Sequence, residues 1–474
     1  MIVKIKKLAF FILLLITTTV SAQKEGFNIK VKMDNYKSDT LYLGNYYGGS
    51  QYIRDTAILN SKGFFVFSDK ETLPGGVYLI ITNDKKYFEI IIDKEQFFSI
   101  ETQYEEFGKY LKSKGSLDNE VFYKFVNFNR VKFEDVTPLQ KKMQDMKDNK
   151  DTVEWCKARL EKINEEIGDF KIKFMQDNPN HLMTKVFKSS KDVEVPDPPK
   201  NADGSIDSLF SYKFYKQHYW DNVDFTDDRL LRTPVYHTKL DYYFKNVVYQ
   251  INDTLFAECD KIIELSRANK ELFKYTLWFL TNKFEKSSIM GQDAVFVHLV
   301  EKYYMTNQAF WVTPTILESI SKRAMQLKPI LIGKVAPELI MPDTNDRYVS
   351  LYSSKGNYTF LLFWDTDCGH CKVEVPKIKK FYDENKVKYG LQVFSIDTDA
   401  DLNRWKKFIR DNNHDWINVT GTKTNLDYHK AYDIISTPVL FILDKDFKII
   451  AKHISADDVP NFMEKYTEMK RMKK

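Results

Sequence analysis

The amino-acid sequence predicts a multidomain α+β protein: an N-terminal antiparallel β-sandwich, a mostly helical middle domain and a C-terminal α/β domain. Three observations predict it. At 474 residues the chain exceeds what a single hydrophobic core organises. Short runs rich in β-branched and aromatic residues give way near Ser116 to long stretches with apolar residues at helical spacing. After Lys328 the texture changes again, to strands alternating with helices, the pattern of an α/β layer.

The first region holds the runs Phe27–Met33, Gly63–Ser68, Gly76–Thr82 and Lys86–Asp93, parted by Asp, Asn, Gly and Lys clusters at short, fairly even spacing. Such spacing suits antiparallel strands stacked as a sandwich. The middle region has helical periodicity over Val153–Met175 and Asp260–Phe284, and the proline-rich Val195–Gly204 reads as an exposed loop between them. Its stripes of Tyr, Phe and Trp are read as core. Lys328–Glu338 is a connector. Then come a strand at Asn357–Trp364, a helix at Cys371–Lys388, a strand at Gly390–Ile396 and a helix at Asp401–Asn412. Strands at Val439–Leu443 and Lys448–Ile454 can pair around Asp444-Lys445-Asp446, and Asp457–Lys474 closes the chain as a helix. The domain limits expected are 1–22, 23–110, 111–327 and 328–474.

Residues 1–22 are expected to be a leader rather than structure. Lys4, Lys6 and Lys7 form a positive start, Leu8–Ile16 is apolar, and Val20-Ser21-Ala22 fits cleavage before Gln23. The apolar run is shorter than the roughly 20 residues of a membrane span, and no Cys follows it to carry a lipid. The mature chain is therefore expected outside the cytoplasm, in the periplasm or cell envelope. Lys and Arg outnumber Asp and Glu by 5 and the signs are interspersed, which argues against nucleic-acid binding.

The four cysteines are Cys156, Cys259, Cys368 and Cys371. Four in so long a chain do not make a disulfide scaffold, and only the last two lie close together. They stand in Trp364-Asp365-Thr366-Asp367-Cys368-Gly369-His370-Cys371, where an apolar strand runs into the start of a helix. A spacing of three in the first helical turn brings two sulfurs within bonding reach. The unpaired N–H groups and the dipole of that turn favour negative charge, so the Cys368 thiol is expected to be acidic and exposed. Cys371, one turn in, is expected to be buried and to resolve a mixed disulfide formed at Cys368. Zinc would need further ligands; Cys156 and Cys259 are unpaired in spacing, and His414 and His429 are read as ordinary surface residues, so no metal and no cofactor are expected. Cys156 and Cys259 stay open between buried free thiols, a structural disulfide and a second redox pair.

With Ser436-Thr437-Pro438 before the strand Val439–Leu443, these motifs resemble the thioredoxin family, and most closely its exported TlpA/ResA-like branch. The resemblance covers about Val335–Lys474. It implies a thioredoxin-like fold, a cis-proline at Thr437-Pro438 facing Cys368 and Cys371, and a protein thiol–disulfide oxidoreductase. Pro376 matches the proline inside the family's active-site helix, and Glu374 an acidic residue placed near the branch's active site. The resemblance leaves Glu374 open between proton transfer and a solvated helix face. Trp364, Gly369 and His370 complete the implied site. Two departures matter: Leu362 stands where thioredoxin buries an acid, and Asp367 stands where Trp is common. Asp367 should raise the Cys368 pKa, whereas a partly charged His370 should lower it and lift the potential above that of thioredoxin, about −270 mV. The longer Cys371-to-Pro438 separation fits the branch's strand–helix insertion. The first two domains resemble DUF4369 and DUF5106, the latter through Met290–Tyr304.

The implied partners are proteins with disulfides or dithiols, and an inner-membrane electron donor if the reaction runs toward reduction, the direction slightly favoured. A peroxiredoxin fits poorly, because Thr366 is two residues before Cys368 and Leu361 replaces the proline its pattern requires. The remaining alternative is a protein that binds a client or glycan through its N-terminal half, with a secondary redox domain.

Overall fold

A computed structural model describes residues 25–200, 203–398, 401–422, 424 and 427–472. The expected leader, residues 1–22, lies outside the described residues. The chain divides into two compact units, one ending at Leu240 and the other starting at Asp241. The division falls inside the stretch 111–327 expected as one helical domain.

The first unit opens with strands β1 (Phe27–Asp34), β2 (Thr40–Tyr47), β3 (Ser50–Ile58), β4 (Phe65–Asp69), β5 (Gly76–Thr82), β6 (Tyr87–Ile92), β7 (Phe97–Gln103) and β8 (Lys112–Lys114). They form two four-stranded sheets, ordered β4-β1-β7-β8 and β3-β2-β5-β6. Alternate residues of β1, Phe27, Ile29, Val31 and Met33, point into the core, as the period of a half-buried strand requires. The expectation of a wholly antiparallel sandwich needs one correction. β1 and β7 run parallel, with Ile29 opposite Phe98. Parallel neighbours need a long crossover, and here the whole of the second sheet supplies it.

Helix α1 (Phe107–Tyr110) leads to the long helices α2 (Leu117–Asp145) and α3 (Lys150–Asp177). Ser116 and Asn149 cap them, each side chain accepting an N–H of the first turn. Phe128 stacks on Phe170 between them, and Cys156 packs with Leu139 and Ile163. Helices α4 (Leu182–Ser190), α5 (Phe210–His218) and α6 (Pro234–Tyr242) follow, the last running across the division.

The second unit contains α7 (Asn252–Ser266), α8 (Lys270–Glu285), α9 (Asp293–Leu299) and α10 (Pro314–Leu327). The periodic stretch Asp260–Phe284 is thus two helices, parted because the Asn269 side chain accepts the N–H groups of Glu271 and Leu272 and starts α8 afresh. A small hairpin, β9 (Ile340–Pro342) with β10 (Tyr348–Ser350), precedes the main sheet. That sheet comprises β11 (Tyr358–Trp364), β12 (Leu391–Asp397), β13 (Ile417–Thr420), β14 (Val439–Asp444) and β15 (Ile449–Lys452), ordered β13-β12-β11-β14-β15. β14 and β15 pair antiparallel as expected. α11 (Gly369–Tyr389), α12 (Leu402–Asp411), α13 (Tyr428–Tyr432) and α14 (Val459–Met472) complete the layers.

Every residue of the central strand β11 is buried. Phe360, Leu362 and Trp364 share a core with Val375 and Ile378 of α11, while Phe363 meets Tyr432 and Phe441. Gly390 ends α11 at φ 61°, a left-handed conformation that glycine adopts freely, and its N–H returns to Lys386 O. Among the described residues no helix is long and apolar enough to cross a membrane.

Candidate active site

The site begins where β11 ends. Asp365 turns the chain: its carboxylate accepts the Asp367 N–H at 2.6 Å and its carbonyl the Cys368 N–H at 3.3 Å. Helix α11 starts at Gly369, two residues earlier than the expected Cys371, so Cys368 is its N-cap. Cys368 Sγ accepts the backbone N–H of Cys371 at 3.2 Å, the role a capping oxygen usually plays. Its S–H donates to Thr437 O at 3.2 Å, across a separation of 69 residues. The Thr437–Pro438 bond is cis.

The two thiols differ in the expected sense. Cys368 is half-buried, which by itself opposes ionisation. Hydrogen bonds from the Cys371 thiol, from the Cys371 and His370 backbone N–H groups and from the Thr437 side chain overcome that burial. They hold the Cys368 pKa below the ordinary thiol value. Cys371 is 1 % exposed. Burial, and then its hydrogen bond to Cys368, push its pKa up to about 12.

Asp367 is solvent-exposed and lies between two cations, Lys372 Nζ at 3.7 Å and Arg404 at 3.6 Å. The carboxylate that should oppose the Cys368 thiolate is therefore partly neutralised. Arg404 also donates through Nε to Thr366 Oγ1 at 3.0 Å. No feature of the sequence singles out Arg404, because only the folding of α12 between β12 and β13 brings it here. Gly369 and His370 are exposed on the first turn of α11. Trp364 is fully buried and donates from Nε1 to Ser395 Oγ at 2.6 Å. Glu374 accepts the Ala456 N–H at 2.8 Å and the Lys377 ammonium at 3.1 Å, so it ties α11 to the segment before α14. Pro376 lies inside α11.

His414 is not the surface residue the sequence suggested. It is 5 % exposed, packed edge-on against Trp364 and close to Trp416, with ring centroids at 5.8 and 4.5 Å. Burial, and then the charge of Lys379, lower its pKa to about 4. His429 is exposed as expected. Cys156 and Cys259 are both buried free thiols, and they belong to different units. Among the described residues no group of three or more His, Cys, Asp or Glu side chains is placed to hold a metal ion.

The family described as "Thioredoxin-like" matches residues 356–449, which contain both cysteines and the Thr437-Pro438 turn. A thiol-disulfide oxidoreductase ResA of Bacillus thuringiensis subsp. konkukian is 30 % identical over 135 residues, covering 28 % of this chain and 76 % of that protein. The chain belongs to the ResA-like thiol–disulfide oxidoreductases. The ResA of Bacillus subtilis is 28 % identical over 119 residues, 25 % of this chain and 64 % of its own. A solved domain of a possible thiol-disulfide isomerase from Cytophaga hutchinsonii is 40 % identical, covering 30 % of this chain and 97 % of its own, with a TM-score of 0.29. Two domains of unknown function also match this ResA-like chain, DUF4369 over residues 27–122 and DUF5106 over 136–328.

Proposed function

We propose that the protein exchanges disulfides with client proteins through Cys368 and Cys371, running toward client reduction in the bacterial envelope. The Cys368 thiolate attacks one sulfur of a client disulfide. A mixed disulfide forms and the other client sulfur leaves as a thiolate. Cys371, deprotonated as that thiolate collects its proton, then attacks Cys368 Sγ and expels the second client thiolate. The client gains two electrons as a dithiol, and the protein is left with a Cys368–Cys371 disulfide. An external dithiol, from an inner-membrane electron donor, returns it to the reduced form. Thr437, whose carbonyl meets the attacking sulfur, and cis-Pro438 beside it offer the backbone against which an extended client would pair.

The observation that carries this reading is the opposed tuning of the pair: Cys368, capping α11, is acidic, and Cys371 beneath it is not. The leader-like residues 1–22 support the envelope location. Glu374 is assigned to anchoring α11, because Ala456 N–H and Lys377 already occupy its carboxylate. A Cys371→Ser variant, which attacks but cannot resolve, should accumulate client-linked species that a non-reducing gel separates and dithiothreitol releases. Equal trapping by a Cys368→Ser variant would refute the assignment of roles.

A further inference from the structure

We infer that helix α10 is part of the client-binding apparatus: Arg323, through Asp433, positions the turn Ile434–Pro438 that faces Cys368. The inference rests on the function proposed above and extends it to a residue outside the thioredoxin-like match, which begins at 356.

The turn is pinned at both ends. After Pro438 the chain enters β14, whose first residue Val439 pairs with Phe363 of the central strand. Before Ile434 the anchor is Asp433, whose carboxylate receives both terminal nitrogens of Arg323, one of them at 2.9 Å, and Gln326 Nε2 at 3.2 Å. A forked guanidinium–carboxylate pair fixes direction as well as distance. Asp433 is 7 % exposed and ends α13 in a left-handed conformation, φ 54°, that a non-glycine residue rarely adopts without outside support. Ile434 is gripped from a second side: its N–H reaches His429 O at 2.9 Å, and its carbonyl accepts His429 Nδ1–H at 3.1 Å. What remains between the anchors is the short segment holding Ile435, 84 % exposed, and Thr437, the carbonyl of which meets the Cys368 thiol.

Neutralising Arg323 leaves the Asp433 carboxylate buried without its countercharge, a costly state that the segment relieves by moving. The turn then loses its register against Cys368, and small misplacements of this kind reduce rates out of proportion to their size. A second ion pair keeps positioning distinct from mere attachment. Lys452 of β15 binds Asp293 of α9 and Ile330 O. It ties α9 and the turn after α10 to the sheet through an edge strand rather than through the turn that faces Cys368.

The test uses the full chain and insulin as the protein disulfide, with dithiothreitol as reductant. Arg323→Gln and Asp433→Asn should each raise KM for insulin roughly tenfold with a smaller change in kcat. In a Cys371→Ala background each should also move the alkylation midpoint of Cys368 upward, as the Thr437 side chain withdraws its hydrogen bond from the thiolate. Arg323→Lys should recover part of both effects, and Asp293→Asn should move neither, whatever it does to the melting temperature. If Arg323→Gln fails to fold, Asp433→Asn and Arg323→Lys carry the same comparison. Unchanged KM and alkylation midpoint, or equal changes in Asp293→Asn, would overturn the inference while leaving the role of Cys368 intact. A wild-type protein that reduces no insulin would remove the proposed function itself, and this inference with it.

Discussion

Replacing His414 by phenylalanine removes a titratable group from the core beside Trp364 and should make the second unit less sensitive to acid. In the folded chain the imidazole is held near pKa 4, against 6.5 when free, and its buried Nδ1 meets no hydrogen-bond partner among the described residues. Protonation is therefore resisted by the fold and not by the unfolded chain. Stability from this source is complete above pH 6.5 and drains away as the pH falls toward 4, because over that interval the unfolded chain binds a proton the folded one refuses. The full gap corresponds to about 3 kcal/mol, and about 2 kcal/mol of it is lost by pH 5. Urea unfolding at pH 7.5 and pH 5.0, followed by tryptophan fluorescence, measures the difference, since Trp364 and Trp416 flank the ring. The wild type should lose about 2 kcal/mol more than His414→Phe between the two conditions. Equal losses would refute the reasoning, whatever the absolute stabilities.

Alkylation by iodoacetamide should modify Cys368 at a lower pH than an ordinary thiol and leave Cys371 untouched, because burial pushes the second thiol up to about 12 while the hydrogen bonds at the helix start lower the first; mass spectrometry of the peptides distinguishes them. Glu374→Gln should leave the rate of thiol exchange within about twofold while costing about 1 kcal/mol of stability, since the carboxylate's partners are structural; a collapse of exchange at unchanged stability would return it to proton transfer. Trp364→Ala should cost about 3 to 5 kcal/mol in denaturant titrations, as a fully buried indole and its bond to Ser395 are lost together. Equilibration with glutathione should place the Cys368–Cys371 couple above about −270 mV.

What the sequence disclosed followed from local physics. The run Phe360–Trp364 is apolar throughout because the central strand is covered on both faces, and the cysteine spacing carried its own geometry. The hairpin β14–β15 was likewise visible in its turn residues. The parallel pairing of β1 with β7 was not, because register between strands so distant in sequence leaves no periodic trace. Strand β13 and helix α13 span only Ile417–Thr420 and Tyr428–Tyr432, too brief for a pattern to register. His414 looked like a surface residue because nothing around it in sequence announces that Trp364 will pack against it. Arg323, likewise, sits on an ordinary amphipathic helix, and only the fold shows that its partner lies 110 residues away.

The parallel contact between β1 and β7 also sets the order in which the first unit can assemble. As synthesis proceeds from the N-terminus, β1 has an early neighbour in β4, through Ile29 and Phe67. Its opposite edge must wait for Phe97–Gln103 to emerge. Until then a strand carrying Phe27, Ile29 and Val31 offers unpaired amides and apolar side chains to any passing chain. Late closure of this kind lengthens the search for the native topology and slows folding. A nascent chain that ends before residue 97 leaves this edge open and is exposed to aggregation until β7 closes it.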